Sequence, residues 1–240
     1  MVAVKKQDEL EIVGGSANGG ENSEVYLGVW RMKVLWLATY FTALLWSVVQ
    51  PHDYFTWILE AAPALIGLGI LAVTHHRFPL TPMLYTLILM HCLILFLGAH
   101  YSYAEVNTFK FLRDFFGWQR NNYDKLGHFA QGLVPAILAR EILIRNRAVN
   151  GRGWLNLFVV SICLAFSALY ELFEWGVAVA TGSSADSFLG TQGYIWDTQS
   201  DMAMALIGAV AALVILSKVH DRQLALLRIE NRISYPATML

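Results

Sequence analysis

Apolar segments of about 17 to 25 residues recur along this chain, and the polar residues are pushed into the stretches between them. At about 1.5 Å per residue, a helix of that length crosses the hydrocarbon of a bilayer. Composition agrees: 56% of the 240 residues are hydrophobic and 15% are charged. An ordinary soluble domain carries about 25% charged residues. A soluble domain with several buried helices would need far more polar surface than this chain offers. The segments predict an all-α, polytopic membrane protein folded as a six-helix transmembrane bundle.

The spans fall at about 33–49, 54–73, 80–99, 123–144, 154–179 and 197–216, within a transmembrane domain of residues 31–217. Pro51, His52 and Asp53 make a short turn after the first span. His75, His76, Arg77 and Pro79 make another after the second, which itself contains Pro63. Between about 108 and 118, aromatic and charged residues alternate in the pattern of an amphipathic helix lying at the membrane surface. Residues 1–30 are polar and acidic and read as a flexible tail; residues 180–196, rich in Gly, Ser and Thr, read as a loop. Residues 218–240 read as a charged C-terminal tail, lying along the surface or partly helical.

Six spans return both termini to one side. That side holds Arg31, Lys33, Arg77, Arg145, Arg147, Arg152, Lys218, Arg222, Arg228 and Arg232, against Lys110, Arg113, Arg120 and Lys125 opposite. The positive-inside rule therefore predicts cytoplasmic termini. A net charge of -1 without a basic run speaks against nucleic acid as a partner. Cys92 and Cys163 fall inside apolar segments, lack metal or redox spacing, and read as small buried hydrophobes.

With this topology, Glu60, Asp124, His128, Gln131, Glu171, Glu174, Asp197 and Asp201 converge on the outer ends of their spans. His91 lies near mid-depth, and His100 and Glu105 flank the outer end of the third span. The inner halves are nearly free of acids; Arg140 and Glu141 are the exception, expected to pair with each other or with headgroups. A charge at mid-membrane costs about 2.5–3.5 kcal/mol, so chance accumulation is disfavoured.

Spacing sharpens the pattern. Asp124 and His128, like Asp197 and Asp201, are four residues apart, and Glu171 and Glu174 three, so each pair shares one helical face. These acids cannot all stay ionised in a low-dielectric pocket. Imidazolium at His128, the ammonium of Lys125 or a bound metal must neutralise some of them. His128, Glu171, Glu174, Asp197 and Asp201 together suit a divalent ion such as Zn, Mn or Fe. Asp124, His128, Glu171, Glu174 and Asp201 would equally serve as a proton relay or as acid and base in hydrolysis. Plainer readings stand beside these: Asp124 and Asp197 as helix N-caps, Asp124 with His128 as a packing pair, and Tyr170, Trp175 and Trp196 as interfacial-belt aromatics.

The runs from Tyr123 to Gly132, Glu171 to Trp175 and Trp196 to Asp201, with Gly208 following, resemble the YjdF-like family of bacterial inner-membrane proteins. More distantly, Asp124, Lys125, His128 and Phe129 resemble the opening of a helix in the VanZ-like membrane proteins, which are linked to the cell envelope. There Glu171 or Glu174 would match the acid of a later helix, and Asp197, Asp201 and Gly208 the last; Met204 to Ile207 stand where that group usually has Asn and Gly. The resemblance implies a multi-pass protein of the bacterial inner membrane and supports the site without naming its reaction.

Three functional readings follow. The first is metal-dependent chemistry on a lipid-linked envelope substrate at the outer leaflet. The second is an ion- or proton-coupled transporter, against which the dry inner halves and the lack of an internal repeat argue. The third is a non-catalytic structural or accessory protein. The chain has no phosphate-binding glycine loop, no His-Glu-x-x-His and no nucleophile elbow.

Overall fold

Every long apolar segment of the sequence is helical in the computed structural model, which describes residues 18–182 and 186–234. The helices are α1 (Asn18–Val48), α2 (Tyr54–Thr74), α3 (Pro82–Tyr101), α4 (Asn107–Phe116), α5 (Tyr123–Arg145), α6 (Arg152–Thr181), α7 (Asp186–Leu189), α8 (Asp197–Ala211) and α9 (Ser217–Ser234). A 3-10 turn, Tyr103–Glu105, stands between α3 and α4, and a π turn, Ala212–Leu216, runs α8 into α9 without a break. No strand occurs among the described residues.

The chain divides at Phe41. The first unit is described by α1 alone, from Asn18; residues 18–30, expected to be part of a flexible tail, are helical there. Residues 1–17 lie outside the described residues. The second unit, Thr42–Leu240, holds the bundle.

Among the described residues, four helices are long and apolar enough to cross a membrane: α2, α3, α6 and the continuous helix Asp197–Leu227. The expected six is thus met in part. The chain does not leave the last helix near residue 216, because the π turn carries it on through the segment read as a tail. The helix α5 is also long, at 23 residues, but it bears Asp124, Lys125, Arg140, Glu141 and Arg145. It packs against α3, α6 and α8 and buries residues from Tyr123 to Glu141. A helix enclosed by protein escapes the demand for an apolar exterior that lipid contact imposes.

Around the middle of α5 lies a dry core of Leu84, Val134, Ala136, Ile137, Val159, Cys163, Ala209 and Ala212. Both cysteines are buried and free. Two glycines decide how closely α5 and α8 approach. A Cβ added at Gly132 would stand 1.8 Å from the Ala205 carbonyl oxygen, and one at Gly208 would stand 2.1 Å from that of Phe129. The two backbones therefore touch, as small residues permit at helix crossings in lipid. At the start of α2, Asp53 is the N-cap and its Oδ2 accepts the Thr56 N–H at 2.7 Å. That bond holds the Asp53 carboxyl below the usual carboxylate range.

Candidate functional site

The first turns of α5 and α8 meet at one end of the bundle, because the Gly132 and Gly208 contacts set the two helices side by side. The side chain of Lys125 reaches from α5 to α8, with Nζ 2.5 Å from Asp201 Oδ1 and 2.8 Å from Asp197 Oδ1. Arg120, just before α5, donates to Asp197 and lies 3.6 Å from Asp124 Oδ2. Neither aspartate is an N-cap. Asn122 and Trp196 occupy the cap positions, and the carboxylates of Asp124 and Asp197 turn to the cations instead.

His128 lies one turn deeper and is buried. Its Nδ1 is 2.8 Å from Gln131 Oε1 and its Nε2 is 3.4 Å from Asp124 Oδ1 and 3.9 Å from Asp201 Oδ1. Because the carboxamide oxygen can only accept, Nδ1 carries the hydrogen, and Nε2 faces the two carboxylates, as a donor when the ring is protonated and as a free lone pair when it is neutral. One donor atom from each of Asp124, His128 and Asp201 lies within 4.8 Å of the others, close enough to share a metal ion. From α6, Glu171 Oε1 stands 3.9 Å from His128 Nδ1 with no hydrogen-bond partner among the described residues. Its neighbours Leu172, Phe173 and Trp175 are turned outward and exposed.

Beside the triad is a cavity of about 80 Å³. Glu60, His91, Tyr103, Asp124, His128, Tyr170 and Glu174 are among the residues that line it. Tyr170, read from sequence as a belt aromatic, faces this cavity with its ring centroid 6.3 Å from that of His128; Trp175 and Trp196 are exposed. Tyr103 gets there because Gly98 and Gly127 leave room for its ring: a Cβ at either would come within 2.3 Å or 2.8 Å of it. Over the same end, Gln192 exchanges two hydrogen bonds of 2.9 Å with the backbone of Asn121, tying the loop after α7 to the start of α5.

His100 and Glu105 are not part of the site. His100 Nδ1 lies 3.2 Å from the Ser47 carbonyl oxygen, and Glu105 pairs with Lys110. Asp197 is committed to Arg120 and Lys125, Glu174 lines the cavity, and the compact donor set is Asp124, His128 and Asp201. Arg120, Tyr103 and Gln192 were not singled out in the sequence. Arg120 entered only as one of the four basic residues counted on its side of the membrane.

The other end of α5 carries a second polar network. Arg140 and Glu141 do not pair with each other. Glu141 accepts from Thr81, from Arg145 Nη1 at 2.8 Å and from His220 Nε2 at 3.0 Å. Arg140 binds His220 Nδ1 at 2.9 Å and Asp221 Oδ1 at 2.6 Å. These bonds clamp α9 onto α5 and the start of α3.

A family model described as "Predicted membrane protein (DUF2238)" matches residues 32–222. The chain belongs to this family. As a DUF2238 member it is an integral membrane protein, and the whole of the site, from Glu60 to Asp201, lies inside the matched region. It is similar to the inner membrane protein YjdF of Escherichia coli (strain K12), with 50% identity over 181 residues, covering 75% of this DUF2238 chain and 87% of that protein. No solved structure matches the chain.

Proposed function

We propose that this protein is a six-span inner-membrane protein with cytoplasmic termini, whose Asp124 end faces outward and binds a divalent cation for chemistry on a lipid-linked envelope substrate. For the span count, α1 with 31 residues and α5 with 23 both exceed the roughly 20 residues that hydrocarbon requires. For the orientation, Arg77, Arg145, Arg147, Arg152, Lys218 and Arg222 gather toward the Arg140 end, as the positive-inside rule asks of a cytoplasmic face. The location follows the relative of E. coli, which is an inner membrane protein by name.

One observation carries the metal reading. The His128 ring is fixed through Nδ1 by Gln131 and aims Nε2 between Asp124 and Asp201, the arrangement by which an outer hydrogen bond orients a metal-ligating imidazole. An N/O donor set of this kind suits Zn, Mn or Fe. Such an ion would supply Lewis acidity at the mouth of the cavity. The protein's own groups then have separate tasks. Glu171 and Glu174 are positioned to take or return a proton, while Lys125 and Arg120 hold the aspartates of α8 in place. The transport reading is disfavoured by the dry layer around Val134, Ala136 and Ile137. It separates His128 from Arg140 by about 18 Å of helix.

The test is metal content after purification in metal-supplemented medium, for the wild type and for His128→Ala and Asp201→Asn. About one divalent ion per chain in the wild type, lost in both variants, supports the proposal. Wild-type protein that takes up no ion overturns it. The Lys125 and Arg120 pairs also favour an accessory role in which the polar end only joins helices. In that case Glu174→Gln and Asp201→Asn would leave cellular function intact.

A further inference from the structure

The cavity has a second wall that the metal triad does not use. Glu60 stands in α2, just before Pro63, with 2% of its surface exposed. It lines the cavity, and although the Tyr103 backbone N–H lies toward it, neither carboxylate oxygen has a well-aligned hydrogen-bond partner among the described residues. A buried carboxyl without a partner is unfavourable in either protonation state. The contrast with Glu141 is direct, since both of its oxygens are taken by Thr81, Arg145 and His220. At the Asp124 end the cations are already engaged: Arg120 on Asp197, Lys125 on Asp197 and Asp201. Glu60 belongs to no group of donor atoms close enough to hold a metal ion among the described residues.

What surrounds Glu60 is chemically specific. The phenol rings of Tyr103 and Tyr170 line the same cavity, Leu95 and Phe188 add apolar wall, and Glu174 supplies another carboxylate. The Tyr103 ring is held between α3 and α5 by Gly98 and Gly127, so that wall is built into the packing. Carboxylates flanked by aromatic rings recognise organic cations: the acid neutralises the charge and the ring faces accept the N–C–H and N–H edges. A cavity of about 80 Å³ admits a head of a few heavy atoms.

From this geometry we infer that the Glu60 side of the cavity is a binding site for a primary ammonium group, with Glu60 as its counter-ion. The inference rests on the proposed use of the cavity as a substrate pocket and names the class of headgroup it takes, an amine-bearing one. The amine can reach the pocket free in solution or on a phospholipid. The neutral parts of such a ligand would lie against Leu95 and Phe188, and the reacting group beside His128.

Ethanolamine and its neutral isostere ethylene glycol test the site on full-length wild-type protein in detergent, by the ligand-dependent shift of thermal unfolding. A saturable shift with ethanolamine, absent with ethylene glycol, supports the site; equal responses overturn it. Short-chain phosphatidylethanolamine and phosphatidylglycerol distinguish the sources. Tighter binding of the former than of free ethanolamine assigns a lipid headgroup, and the reverse assigns a free amine. Glu60→Gln is expected to weaken ethanolamine binding at least tenfold and Glu60→Asp less, and wild-type affinity in Glu60→Gln overturns the role of Glu60. Asp201→Asn removes a proposed metal ligand that does not line the cavity and leaves ethanolamine binding in place. Loss of metal uptake without loss of amine binding thus separates failure of one reading from failure of the other.

Discussion

Replacing Gly132 by Ala tests whether the contact between α5 and α8 sets the geometry of the site. The new Cβ would start 1.8 Å from the Ala205 carbonyl oxygen and 2.6 Å from its carbonyl carbon, where ordinary contact begins at 3.4 Å. Both obstacles are backbone, so no side chain can swing aside. The helices must part by roughly 1.5 Å. A displacement of that size takes Lys125 Nζ from 2.5 Å to roughly 4 Å from Asp201 Oδ1, outside hydrogen-bond range. Overpacking of this kind costs about 1–3 kcal/mol, and a backbone clash belongs at the upper end. The better helix propensity of Ala returns about 1 kcal/mol. The expected net loss is about 2 kcal/mol, or a fall in Tm of roughly 4–8 °C for a chain of this size. Thermal unfolding in one detergent, followed by tryptophan fluorescence, measures it. Gly67→Ala in α2 is the control: its Cβ meets nothing within 4 Å, so Tm should hold or rise. If the two variants unfold together and bind metal alike, the α5–α8 contact does not govern the site.

Lys125→Met should leave Asp201 buried without its nearest cation and cost about 3–5 kcal/mol at neutral pH; adding Asp201→Asn should recover part of that loss in a double-mutant cycle. Glu141→Ala at the opposite end should cost a similar amount, about 3–5 kcal/mol. Combined with His220→Ala it should be strongly non-additive, and limited proteolysis should cut α9 in both variants. Asp53→Ala should lose about 1 kcal/mol of helix capping at pH 7. Because the folded carboxyl titrates below its unfolded value of about 3.9, the contribution is complete above that pH and fades as pH falls through the lowered folded value. Wild-type and variant denaturation midpoints should therefore converge in acid.

The site was legible where its chemistry repeats at helical spacing. Asp124 with His128 and Asp197 with Asp201 declare one face of a helix, and acids in apolar segments are too costly to be incidental. Arg120 and Tyr103 were not legible, because each arrives from a connection whose path depends on packing. Tyr103 needs the empty space at Gly98 and Gly127 to reach the cavity. Tyr170 was misread because an aromatic near the end of a span looks the same whether it faces lipid or a cavity. The pairing of Glu141 with His220 was hidden for another reason: His220 sits in a charged segment that composition reads as a tail. The central place of α5 also escaped composition, since a helix screened by its neighbours can keep its charges.

The π turn at Ala212–Leu216 bears on both polar ends at once. A regular α-helix advances about 100° per residue, so from Asp201 to His220 it would finish about 100° out of phase. His220 would then stand off the face of its own continuous helix that carries Asp201. A single wide turn absorbs about one residue of rotation, and Asp201 and His220 come back to one face of their own helix. The turn is thus a phase corrector, and converting it to regular α-helix would rotate the Arg140 end against the Asp124 end without stretching either.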